Sequence, residues 1–82
     1  MGKCDKLLAK ASRNPKGLRF GELCQLADCV GFKLSRQRGS HRIYRHSVLR
    51  RTISFQDYGG EAKPYQVRQL LRIIAEMGGP DG

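Results

Sequence analysis

Tryptophan is absent from this sequence, proline occurs 3 times, and acidic residues number 7 against 16 lysines and arginines. The shortage of acid disfavours a basic partner and leaves a net charge of +9 that attracts anions, with a nucleic acid as the first suspect. An acidic protein or a membrane surface would answer the same charge. No apolar run is long enough to span a bilayer and no signal peptide is recognisable, so a cytoplasmic protein without membrane contact is expected. The three cysteines, Cys4, Cys24 and Cys29, lack a metal-ligand spacing, and their odd number fits no closed disulfide framework; they read as reduced thiols. Cys24 falls on an apolar helical stripe, where a free thiol acts as a small hydrophobe. Clusters of metal-binding side chains are also missing: Asp57 and Glu61 share one loop with no histidine or second carboxylate at ligand spacing. Neither a metal nor a cofactor is expected.

What is present organises the 82 residues as one small domain with one core. In "KCDKLLAKASRN" the residues Leu7, Leu8 and Ala11 have helical spacing, and "NPKG" closes the segment with a turn, since Pro15 disfavours helix at Asn14. Residues 1–17 thus read as a short helix and turn. Phe20, Leu23, Cys24, Leu26, Ala27 and Val30 repeat with the 3.6 period, which predicts a helix over 20–30 ended by Gly31 in a left-handed conformation. "FKLSRQ", "SHRIYRH" and "RTISF" then read as three short antiparallel strands, the first turn falling at about Arg38 to Ser40. "DYGGEAK" is a polar loop. "PYQVRQLLRIIAEMGG" carries Val67, Leu70, Leu71, Ile74 and Met77 on one face, with Pro64 in its first turn and Gly78 past its end. The expected α+β fold has the order α-α-β-β-β-α, with helices on one face of a three-stranded sheet and the other face open to solvent.

The stretch "RQRGSHRIYRH", residues 36–46, holds four arginines and both histidines of the chain. RNA can be cut without a metal when a base removes the proton of its 2′-hydroxyl, and a histidine, with an ordinary pKa near ~6.5, suits that task. Arginines clamp phosphate and stabilise charge that grows in the transition state. His41 has Arg36, Arg38, Arg42 and Arg45 close by in sequence. On the residues alone, a polar turn histidine among solvated charges is the better account of the pattern, because basic hairpins are common. A separation of five along one strand puts His46 on the opposite sheet face from His41, so the two cannot share a phosphate, and His46 reads as a surface residue at a strand end. The general acid is left unassigned, with a basic side chain or water as candidates. Tyr44, Tyr58 and Tyr65 could stack on bases or simply pack; Arg68 and Arg72, one turn apart, either extend a phosphate track or form a solvated face.

"GFKLSRQRGSHRIYRH", then "ISFQ", then "KPYQVRQLLRII", taken in that order over about residues 20–75, resembles the HicA toxin family. The resemblance implies a fold similar to a double-stranded-RNA-binding domain, an mRNA-cleaving activity, and a cognate antitoxin of the HicB type. It places the functional histidine in a Gly-Ser-His turn, here Gly39, Ser40 and His41. Against the shortest members of the family, the resemblance makes residues 1–17 an additional amino-terminal helix and turn ahead of a core at 20–77, and the "FQDYGGEAKPYQ" connection is longer than a minimal one. The reading that follows is a metal-independent endoribonuclease, monomeric when free, with His41 catalytic and Arg36, Arg38, Ser40, Arg42 and Arg45 on the RNA. A non-catalytic RNA-binding module of the same fold, or a subunit docking on an acidic protein, would use the same basic surface.

Overall fold

A computed structural model describes residues 2–78. Three helices, α1 (Lys3–Arg13), α2 (Phe20–Cys29) and α3 (Pro64–Met77), accompany four strands, β1 (Phe32–Arg38), β2 (His41–His46), β3 (Arg51–Tyr58) and β4 (Glu61–Ala62). All strands are antiparallel and lie in sequence order. The arrangement is α+β as expected and consistent with a double-stranded-RNA-binding-domain-like fold, except that the sheet has four strands rather than three. The fourth arises within the predicted polar loop, where Gly59 and Gly60, both at positive φ, turn β3 back into a two-residue strand. The Asp57 carboxylate closes that turn by accepting the Gly60 N–H at 2.8 Å. A two-residue strand has too little side-chain pattern to announce itself in sequence.

The helices form where their apolar stripes require it. In α2, Phe20, Leu23, Cys24, Leu26 and Ala27 are buried, and in α3 Val67, Leu70, Ile73 and Ile74 are. Pro64 occupies the first turn of α3, where its missing N–H costs nothing, and Gly78 ends the helix at φ 87°. Gly31 ends α2 in the same way at φ 101°. Opposite these stripes the sheet contributes Phe32, Tyr44, Ile53 and Phe55 to a single core. Phe32 and Phe55 are fully buried, and truncating either to alanine should cost about 3–5 kcal/mol.

Two further sequence expectations are overturned. Cys4 and Cys29 form a disulfide that ties the start of α1 to the end of α2, leaving Cys24 as the buried free thiol. The odd count was compatible with one bridge plus one core cysteine, and only the packing of two helix ends reveals which pair meets. His46 is the second: it is 6% exposed rather than a surface residue. Its Nε2 lies 2.9 Å from the Val30 carbonyl, its Nδ1 accepts the Leu49 N–H at 3.2 Å, and its ring meets Phe32 edge-on. With Nδ1 accepting, Nε2 is the donor to Val30. The imidazole thus joins the end of α2 to the turn after β2, with both ring nitrogens engaged.

Candidate nucleic-acid interface

The β-sheet register sorts the basic hairpin into two faces. In β2, Tyr44 and His46 are buried against the helices, so the alternation sends His41, Ile43 and Arg45 to the other side. Across β2, His41 pairs with Arg38 and Gln56, Ile43 with Arg36 and Ser54, and Arg45 with Lys33 and Thr52. Cross-strand neighbours of this kind have Cβ atoms roughly 5 Å apart. The open face is therefore a three-by-three array whose centre is Ile43, with His41 at one end, three arginines around it, Arg36, Arg38 and Arg45, and Lys33 at a corner with its ammonium turned to Asp28 of α2 at 3.1 Å. An irregularity in β1 at Ser35, between Leu34 and Arg36, makes the array possible. Without that extra residue, Arg36 and Arg38 would share the face of Leu34.

The catalytic candidate sits at the tip of this array. Gly39 and Ser40 form the two-residue turn, Gly39 at φ 55° with open space where a Cβ would stand. The Ser40 carbonyl accepts the Asp57 N–H at 2.8 Å, which fastens the turn to β3. One residue earlier, the Gln56 N–H points away from β2, beyond the reach of short β4, and is taken at 2.9 Å by the side-chain oxygen of buried Gln66 on α3. His41 is exposed, next to a strand position held from both sides.

The structure brings Arg36, Arg38, Arg45 and His41 together on one face, with Ser40 in the turn beside them. Arg42 is not among them. Its guanidinium lies 5.1 Å from the centroid of the Phe20 ring and its Nη1 is 3.9 Å from Cys24 Sγ, on the helix side of the sheet. Tyr44, considered for base stacking, is buried in the same neighbourhood, and burial pushes its hydroxyl above the usual phenol range. Tyr58 and Tyr65 remain exposed, and Lys63 lies 5.5 Å over the Tyr58 ring. Arg68 and Arg72 are exposed on α3. Lys33, Thr52, Ser54 and Gln56 belong to the open face although the motif drew no attention to them. The inward alternation of Ile53 and Phe55 was the signal for the last three.

Chemically, the face offers one imidazole, a set of guanidinium groups suited to phosphate, and small hydroxyl and amide side chains able to meet sugar or base edges. Among the described residues no helix is long and apolar enough to cross a membrane. Residues 21–75 match the family model described as the HicA toxin of bacterial toxin-antitoxin systems. No curated protein and no solved structure matches the chain.

Proposed function

The chain belongs to the HicA family of toxins of toxin–antitoxin systems, and from that premise we propose that it is an endoribonuclease that cuts mRNA on the open face of its sheet, with His41 as the base. The observation that carries this reading is the array itself: an exposed histidine paired across strands with Arg38, and further cations along the same face. The RNA backbone lies along Arg36, Arg38 and Arg45, which hold phosphate oxygens. His41 accepts the proton of a 2′-hydroxyl, and the freed oxygen attacks the adjacent phosphorus. The bond from phosphorus to the 5′-oxygen breaks, and that oxygen takes a proton from water or a neighbouring cationic side chain. The products are a 2′,3′-cyclic phosphate and a 5′-hydroxyl. His46 has no part in this, because it lies on the other face with both ring nitrogens bonded.

The test is cleavage of a defined mRNA in EDTA with mapping of the termini. We expect cutting to persist, to leave a cyclic phosphate, and to fall at least ~100-fold in His41→Ala, a loss typical of removing a general base. The variant should melt like the parent, since an exposed strand-end residue contributes little packing. Cutting that needs added magnesium, or a 3′-hydroxyl product, would refute the mechanism. A folded His41→Ala that still cuts would refute the residue. RNA binding without cutting in the parent would leave a binding module of the same fold.

A further inference from the structure

The edge strand β1 is uncovered in a way that the RNA reading does not use. It pairs with β2 on one side and with no strand on the other among the described residues. From Lys33 to Arg38 every residue is exposed, those facing the helix layer included: Leu34 is 49% exposed although it pairs with buried Tyr44. The strand overhangs the helices, and beneath the overhang lies a groove of about 390 Å³, floored by Leu7, Cys24 and Tyr44 and reaching the Cys4–Cys29 bridge, with Leu34 on its rim. A row of unpaired backbone donors and acceptors is a template for another strand.

The side chains say which strand. Arg36 and Arg38 stand on the open face of β1, the Lys33 ammonium reaches round the strand edge to Asp28 of α2 at 3.1 Å, and Leu34 stands on the groove side. A second copy of this chain is a poor occupant, because two antiparallel β1 strands would set like charges against each other. An incoming strand with carboxylates on one face and apolar side chains on the other would neutralise the first row and fill the groove with the second. We propose that β1 is a docking edge for an acidic, apolar-alternating strand of a partner protein, which adds to the sheet as a fifth strand and anchors an apolar side chain beside Leu34. Such recognition takes affinity from main-chain bonds and specificity from alternate side chains.

The proposal goes beyond the RNA reading and fails separately from it. The probe is a capped peptide of alternating glutamate and valine, about seven residues long, used beside the same peptide N-methylated on alternate amides and a polyglutamate of equal length. Binding to the full chain is followed by amide NMR and hydrogen exchange. We expect the unmodified peptide to slow exchange at 33–38, and affinity to drop tenfold or more on N-methylation, in polyglutamate, and with Leu34→Ser. Leu34→Ser should leave RNA binding and cutting unchanged. Equal binding by all three peptides would reduce the effect to charge and overturn the proposal. So would shifts confined to His41, Ile43 and Thr52, or absence of binding at ~1 mM. If a 2′-O-methyl RNA oligonucleotide protects the β1 edge amides and the peptide does not, the edge serves nucleic acid and the proposal is wrong.

Discussion

Arg38 and Arg42 flank His41 in sequence, yet they lie on opposite faces of one hairpin. Arg38 pairs across strands with His41 on the open side, while Arg42 sits over Phe20 with its Nη1 near Cys24. Arg38→Gln should therefore weaken RNA binding with a change in stability within about 0.5 kcal/mol, as for a surface substitution. Arg42→Gln should do the reverse, costing about 1 kcal/mol through the lost cation–π and packing contacts with little effect on RNA. Melting curves and RNA titrations of the two variants decide it; an Arg42→Gln that melts normally but loses RNA would put that side chain on the substrate after all. Gly31 carries a second residue-scale consequence. It has φ 101°, and a Cβ there would come within 2.6 Å of His46 Nε2, a buried ring atom bonded to Val30. Gly31→Ala should cost roughly 2 kcal/mol or more from backbone strain and the displaced ring. A variant of unchanged melting temperature would mean that the α2–β2 junction is slacker than its contacts imply.

Among the elements, α1 is held to the rest by a thin set of contacts. Its buried residues are Leu7 and Ala11, supplemented by one covalent tie, the Cys4–Cys29 bridge, and one ionic tie, the 2.8 Å pair of Lys10 with Glu22. The bridge closes a sequence separation of 25 residues, for which chain-entropy arguments give about 3.5 kcal/mol. Cys4→Ser, or reduction of the parent, should lower the denaturant midpoint accordingly; an unchanged midpoint under reducing conditions would show that α1 docks without the bond. Glu22 has its pKa lowered by the Lys10 ammonium and by the Arg19 N–H, which its carboxylate accepts at 3.0 Å. A depressed carboxylate stabilises the fold above its ordinary value of 4.5 and loses that contribution as pH falls below it. The partner ammonium is well exposed, so the loss should stay under about 1 kcal/mol. These ties also mark where sequence reading reaches its limit. The stripes of α2 and α3 repeat with a helical period and were legible, as were the ends at Gly31 and Gly78 and the turn at Gly39. The bridge, the fourth strand and the burial of His46 depend on which ends meet in space, and no local pattern encodes that. At the candidate site, the Gly39–Ser40 turn and the place of His41 beside it were legible, and the even–odd alternation of β2 already separated His41 from His46. The same alternation would have moved Arg42 away from His41, but the density of arginines in the motif obscured it.

For the molecule as a whole, the net charge of +9 on 82 residues acts at long range, whereas the array on the open face acts at contact. The two are separable by salt. Long-range attraction speeds encounter and is screened within a Debye length of about 8 Å at physiological ionic strength. Contacts with phosphate release bound counterions, and each contributes about −0.7 to the slope of log K against log salt for a single-stranded nucleic acid. Lys33, Arg36, Arg38 and Arg45 offer four such contacts on one face, although Lys33 is shared with Asp28 at 3.1 Å. The expected slope for single-stranded RNA is therefore about −2 to −3. The double variant Arg36→Gln, Arg38→Gln should bring it towards −1, whereas neutralising the α3 pair Arg68 and Arg72 should leave it unchanged. Fluorescence anisotropy titrations between ~50 and ~200 mM salt measure these slopes over the range in which counterion release dominates. If the α3 variant flattens the slope and the β1 variant does not, the RNA lies along the helix rather than the sheet. His41 would then be too far from the bound backbone to serve as its base.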